Sequence, residues 1–280
     1  MPRGQSDPQL TSRDSAILQL VADLNGCGVD HIQRRLWSGT LGSSSCYRRI
    51  AALSRVHYLH TERLPSYSGV GSGKALIRLG YKGRRLLSSS KDPHRVIQPN
   101  GGIGTFFARH HFAICDFRIA LEREIEQLKD PSLVDWVSEQ TLRREGIGVL
   151  APLRASTHLP VRRGKVVPDG AFTLNRAGVH QAFLFEQDQG TMSTKRLHQK
   201  LRAYMELQIE SGLRLPVLFV VPNLSRTVRL QAVAVTEAKK LTADPSAVFV
   251  TTSNEVDRGR ILTRAVWFRA GSSNRVRLLN

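Results

Sequence analysis

PVLFVVPN, residues 216–223, sets five apolar residues in a row between two prolines. A strand apolar on both faces must be covered on both, which happens in sheets with helices packed around them. The flanking segments agree. STKRLHQKLRAYMELQIESG reads as a helix of about five turns at 3.6 residues per turn, SRTVRLQAVAVTEAKKL as another helix, and AVFVTTSNEV as another strand. Upstream, KVVPDGAFTL and QAFLFEQD are strands around the polar turn NRAGVH, and LVDWVSEQTLRRE is a short strand or helix start leading into a helix that carries Glu139. A hairpin followed by alternating helix and strand predicts a mixed sheet covered by helices, so the expected class is α/β (α+β). The C-terminal GSSNRVRLLN fits either a basic tail or a last strand.

The N-terminal grammar differs. Thr11 or Ser12 can cap a helix whose Ile17, Leu18, Val21 and Leu24 recur at helical spacing, ended by Gly26 and Gly28. Val29 to Leu36 is a second short helix. SSSCYRRIAALSRV is a third, capped by Ser43 or Ser44, with Tyr47, Ile50, Ala51 and Leu53 inward and Arg48, Arg49 and Arg55 outward. HYLHTERL and KALIRLGYKGRRLL are two strand-like runs joined by SYSGVGSG, and Lys74, Lys82, Arg84 and Arg85 make this hairpin basic. Helix, helix, basic helix and hairpin is the order of a winged helix-turn-helix, whose third helix enters the major groove while the wing follows the backbone. The other reading is a small helical domain with a solvated basic face.

SGVGSGKA, residues 68–75, imitates a phosphate-binding loop but lacks its first glycine (Ser68) and its magnesium-binding hydroxyl (Ala75). It is better read as a wing tip. Residues 1–88 form the expected DNA-binding domain, 89–104 a linker rich in Ser, Pro, Asn and Gly, 105–130 a connecting helix, and 131–280 the sheet domain. His110 and His111 on the connecting helix point about 100° apart, which does not suit joint metal ligation.

Charge indicates the partner. The chain carries 41 Lys+Arg against 23 Asp+Glu, a net charge of +18, and between Gly39 and Ala113 the only acids are Glu62 and Asp92. Such an excess favours a polyanion, and double-stranded DNA is the expected one. No apolar run approaches the ~20 residues of a membrane span and no lipid-anchor motif occurs, so no membrane partner is expected and the expected location is the cytoplasm. Cys27, Cys46 and Cys115, odd in number and far apart, fit small reduced hydrophobes.

AFLFEQDQGT, residues 182–191, ends an apolar strand in Glu186 and Asp188. If Leu174 and Gln181 close the hairpin, Asp169 lies opposite Glu186, and alternation adds Asp188 to the same face. Three converging carboxylates repel one another unless a cation joins them, and Mg²⁺ or Mn²⁺ favours carboxylates with waters and phosphate oxygens. The alternative is three solvated acids at a strand end.

At these residues the chain resembles known proteins. Pro168-Asp169, a strand ending in Glu186-x-Asp188, then a helix, resembles the PD-(D/E)xK nuclease core. More narrowly, PDGAF, FLFEQDQGT, KLRAY and LPVLFVVP resemble the replication-relaxation family over about Leu10 to Val256. The resemblance implies a winged helix joined to a nuclease-like domain, in proteins of plasmids and integrative elements associated with plasmid replication and DNA relaxation. It implies Asp169 and Glu186 as ligands of Mg²⁺ and, as partners, DNA and other plasmid replication or transfer proteins. Asp188 stands where the nuclease core has its lysine. Lys200, or with less support Lys195, is the candidate to supply that cation from the next helix, and Tyr204 shares a face with Lys200 at i+4. Tyr204 reads as a packing aromatic rather than a covalent nucleophile, and Glu139 as either an extra acid or a solvated glutamate. The expected activity is metal-dependent nicking or cleavage of DNA. The alternatives are a non-catalytic DNA-binding factor and a recruiter of a separate relaxase or transposase.

Overall fold

The computed structural model describes residues 9–37, 43–64, 74–88, 105–150 and 166–279. The chain is mixed α/β and divides into two compact units, Met1–Cys115 and Asp116–Asn280. The expected linker 89–104 and the wing tip 65–73 lie outside the described residues.

The first unit runs α1 (Ser12–Asp23), β1 (Cys27–Gly28), α2 (Val29–Leu36), α3 (Ser43–Arg55), β2 (Leu59–Arg63), β3 (Ala75–Leu79) and α4 (Tyr81–Ser88), followed by the first part of α5 (Thr105–Leu128). Its three strands form an antiparallel sheet in the order β1-β3-β2. Thr11 caps α1 reciprocally: its hydroxyl accepts from Asp14 N at 3.3 Å and its own N–H donates to Asp14 Oδ2 at 2.7 Å. Ile17, Leu18, Val21 and Leu24 are buried as the spacing predicts. Gly26 follows with φ +96°, and a Cβ there would meet Ile77 O at 3.2 Å. β2 and β3 pair across the SYSGVGSG connection, so β3 is one arm of a hairpin and not the strand of a phosphate-binding loop.

Two expectations in this unit are corrected. The run KALIRLGYKGRRLL is a strand only to Leu79; α4 takes over at Tyr81 and carries Lys82, Arg84 and Arg85. The cause is close backbone approach. A Cβ on Gly80 would sit 2.1 Å from His57 O, and one on Gly83 2.3 Å from Tyr58 O. The two glycines let the chain turn under β2 into a helix. The inner face of α3 is also rotated: Cys46, Ile50 and Leu53 are buried, while Tyr47 is 57% exposed and Ala51 is exposed beside Arg48 and Arg55.

The second unit continues with the rest of α5, then β4 (Ser132–Ser138), α6 (Glu139–Glu145), β5 (Gly170–Arg176), β6 (Val179–Gln187), α7 (Thr194–Ser211), β7 (Val217–Val221), α8 (Leu224–Leu241), β8 (Val248–Thr252), α9 (Ser253–Asp257), β9 (Trp267–Arg269) and β10 (Arg275–Val276). The seven strands form one sheet, β10-β9-β8-β7-β6-β5-β4, parallel across β6-β7-β8 and antiparallel at both sides. All five residues of β7 are buried, as its composition requires. One sheet face stacks Phe172 on Trp136 and Phe185 on Phe117 of α5; the other packs Ala171, Leu184 and Phe219 under Leu197, Leu201 and Tyr204 of α7 and Leu230 of α8. The β5–β6 hairpin turns on Ala177 (φ 48°) and Gly178 (φ 84°), between the paired residues Arg176 and Val179. The C-terminal segment forms the short strand β10 on β9. Among the described residues no helix is long and apolar enough to cross a membrane. The three cysteines are buried.

Arg49 ties α3 to α1. Its Nε donates to Asp14 Oδ1 at 2.6 Å, its Nη2 bonds Asp14 Oδ2, and Asp14 is fully buried. Burial alone would raise the Asp14 carboxyl; hydrogen bonds from Arg49 and Thr11 outweigh it and hold the group below its usual value. Arg49→Ala should therefore destabilise the first unit by about 2–3 kcal/mol in denaturant melts, because a buried carboxylate loses its cation while keeping its Thr11 bonds. The folded value lies below the unfolded one, so this stabilisation is complete above about pH 4 and is lost as pH falls through the folded value. Melts of wild type and Arg49→Ala should converge on acidification.

Candidate functional site

The end of β6 gathers the charges. The hairpin register pairs Leu174 with Gln181 and Gly170 with Phe185, so Asp169, one residue before β5, lies alongside Glu186. Asp169 Oδ2 accepts a hydrogen bond from Gln187 N at 2.8 Å. The next strand is parallel, with Glu186 beside Phe219 of β7. The site thus sits where β6 and β7 end and where the helices that follow them begin.

Glu186 is 1% exposed. Lys200 Nζ bonds its Oε2, and Tyr204 OH donates to its Oε1. Lys200 and Tyr204, one turn apart on α7, reach the same carboxylate, as the i, i+4 spacing predicts. Burial, then the Asp169 charge, pushes the Glu186 carboxyl well above the usual range, against the pull of Lys200 and Tyr204. Lys200 moves up as well: burial works against its charge, and the Glu186 and Asp169 carboxylates overcome it. Burial, then Glu186, raises the Tyr204 hydroxyl well above its ordinary value. Tyr204 is fully buried, edge-on to Phe219 at 6.2 Å between centroids, so the packing reading holds with a polar contact added.

Asp188 has a cation of its own, and its charge also helps raise Lys200 after those of Glu186 and Asp169. β6 stops at Gln187, one residue before Asp188. Asp188 Oδ2 takes the Arg226 Nε at 2.5 Å, its Oδ1 accepts from Gly190 N at 2.8 Å, and its N–H donates to Val220 O at 2.9 Å. Arg226 is the residue that the sequence reading missed. Asn223 caps α8 through the Arg226 N–H, which fixes Arg226 in the first turn, at the end of the sheet where β6 also finishes. A capping asparagine three residues before an arginine, after an apolar parallel strand, was the signal available.

The remaining candidates are placed as follows. Glu139 opens α6 next to the Ser138–Gly170 pair but its carboxylate bonds Arg143. Lys195 is exposed on the first turn of α7. Lys74 lies 3.5 Å from Asp30 and 5.9 Å from the Phe112 ring centroid, with 65% of its side chain exposed. Lys82 lies over Tyr58, Arg84 bonds Leu79 O at 2.9 Å, and Arg85 is exposed. Arg48 and Arg55 are exposed on α3; Arg49 is committed to Asp14. His111 Nε2 lies 2.7 Å from Gly26 O, and burial lowers its pKa, so it is a packing residue.

Asp169 and Glu186 are the hard oxygen donors that suit Mg²⁺ or Mn²⁺. If Lys200 compensates Glu186, Lys200→Met should lower stability by about 3 kcal/mol, and the Lys200→Met/Glu186→Gln pair should recover most of that loss in denaturant melts. Additive losses would contradict the pairing.

Comparison with known proteins returns one match. A family model described as Replication-relaxation covers residues 18–221, well over half of the chain. No curated protein and no solved structure matches. The matched span runs from α1 to the end of β7 and contains Asp169, Glu186, Asp188, Lys200 and Tyr204. The chain therefore belongs to the replication-relaxation family.

Proposed function

We propose that this protein is a DNA-binding protein of a mobile genetic element that cleaves or nicks DNA by metal-dependent phosphodiester hydrolysis, in the service of plasmid replication or DNA relaxation. One observation carries the reading: an acid from the hairpin strand, an acid from its partner and a lysine from the following helix meet around Glu186. That is the Asp, Glu, Lys set of a PD-(D/E)xK nuclease, with the lysine supplied from α7 instead of the position now held by Asp188.

In this mechanism Asp169 and Glu186 would hold Mg²⁺, and the bound ion would supply a more acidic water and a polarising charge for the phosphoryl oxygens. Lys200 neutralises charge that grows on the phosphate as water adds to phosphorus and a P–O bond to the sugar breaks. Tyr204 positions Glu186. Its hydroxyl is buried, already donated, and harder to ionise than an ordinary tyrosine, which argues against a phosphotyrosyl intermediate. Asp188 and Arg226 neutralise each other and fix the loop that follows β6. On the first unit, α3 offers Tyr47, Arg48, Ala51 and Arg55 on one exposed face, a set able to read base edges and phosphates.

A second reading rests on a different observation. Both Glu186 oxygens and the Asp188 carboxylate already have protein partners, an arrangement that suits a DNA-binding factor whose nuclease fold has lost its chemistry. Incubation with supercoiled plasmid in Mg²⁺, Mn²⁺ or EDTA separates the two. The nuclease reading predicts metal-dependent nicked or linear product, abolished in Asp169→Ala and slowed at least about 100-fold in Lys200→Met. Cleavage by Asp169→Ala at the wild-type rate defeats the mechanism. No cleavage, with tight salt-sensitive binding by both proteins, establishes the second reading.

A further inference from the structure

α7 and α8 cover one face of the large sheet, and their outer sides are basic. The exposed cations are Lys195, Arg196 and Arg202 on α7 and Arg229, Lys239 and Lys240 on α8. The acids of these two helices are Glu206 and Glu210 in the last turns of α7, and Glu237, which is 2% exposed. Glu237 binds the two helices together: it accepts from Arg202 Nε at 2.9 Å and Lys240 Nζ at 2.6 Å, and lies 2.8 Å from His198 Nδ1. Burial works to raise its carboxyl, but hydrogen bonds with Lys240, His198 and Arg202 hold it at about 2. Arg229 bonds the Thr194 hydroxyl across the same seam. Arg202 and Arg229 are thus held across the α7–α8 seam and Lys240 along α8, while Lys195, Arg196 and Lys239 are exposed beside them.

We propose that this α7–α8 face is a second nucleic-acid surface, a track for the phosphate backbone of duplex DNA that acts independently of α3. The inference rests on the reading of the chain as a DNA-binding protein, but not on cleavage. Geometry selects the partner. Lys195, Arg196 and Arg229 occupy the opening turns of α7 and α8, at the sheet end where Asp169 and Glu186 lie, so a backbone held there approaches the candidate site. Of the aromatic rings on these helices, Tyr204 is fully buried and the imidazole of His198 is held by Glu237, so the face offers no open stacking platform for unpaired bases and suits an intact duplex. Contacts of this kind carry no sequence preference and release counterions. Leu224 and Val228 are the exposed aliphatics of α8, so an anionic lipid surface is the competing partner.

The test uses the full chain and a fluorescein-labelled duplex of about 30 base pairs, with anisotropy read between about 50 and 200 mM KCl. Lys195→Gln/Arg196→Gln/Arg229→Gln should reduce the slope of log K against log[KCl] by about 2–3 and weaken binding about tenfold at the middle of that range, equally for unrelated sequences. Circular dichroism checks the fold. Should the triple variant not fold, Lys195→Gln/Arg196→Gln, at two exposed positions, should still reduce the slope by about 1–2. An unchanged slope overturns the track. Arg48→Ala, measured alongside, reports on α3: weakened binding by it with a wild-type slope in the triple variant removes the track and keeps α3. A reduced slope in the triple variant with no effect of Arg48→Ala does the reverse. Loss of binding to phosphatidylserine vesicles, with duplex affinity intact, also overturns the proposal.

Discussion

The buried carboxylate of Glu186 is the constraint around which the second unit is arranged. At 1% exposure it demands compensation, and the fold supplies a lysine and a phenol from α7 to its two oxygens. Those contacts fix the rotation of α7 on the sheet, because Leu197, Leu201 and Tyr204 pack inward along the same side as Lys200. One strand over, the Asp188–Arg226 pair does the same for the first turn of α8. Buried ion pairs are poor sources of stability, since apolar residues of similar volume serve as well or better. Two such pairs at one end of a sheet, beside a third carboxylate, are therefore better explained by use of the charge than by stability.

The same distinction sorts the cations of the first unit. Arg49 spends its charge on the buried Asp14 and belongs to the architecture. Arg48 and Arg55 flank Tyr47 and Ala51 on the open face of α3 and have the exposure that a recognition surface needs. A net charge of +18 favours polyanions in general; the pairing of individual side chains separates the committed cations from the exposed ones.

Much of this was legible in the sequence, for physical reasons that differ between elements. The β5–β6 register followed from strict alternation around a short polar turn, and it put Asp169 beside Glu186 with no long-range information. Lys200 and Tyr204 followed from helical periodicity once the helix was recognised. α3 was misread by a fraction of a turn because both of its sides carry apolar residues, and burial chose Cys46 over Tyr47. α4 was misread as strand because its basic, leucine-rich wording hides the requirement that decides it, the approach of Gly80 and Gly83 to the carbonyls of residues 57 and 58. The Asp188–Arg226 pair spans 38 positions and two crossovers, so no local period reports it. Glu139, legible as either an extra acid or a solvated glutamate, opens α6 with an exposed carboxylate bonded to Arg143 one turn on.

Metal binding at Asp169 and Glu186 tests the central claim most directly, because it does not depend on finding the right DNA substrate. Loss of the free Mn²⁺ electron paramagnetic resonance signal, titrated with the full chain in the presence of duplex, counts bound ions. The account predicts one strongly bound ion per chain, lost in both Asp169→Asn and Glu186→Gln and kept in Glu139→Gln. Wild-type uptake by Glu186→Gln would contradict it and leave the buried charges of this site as architecture alone.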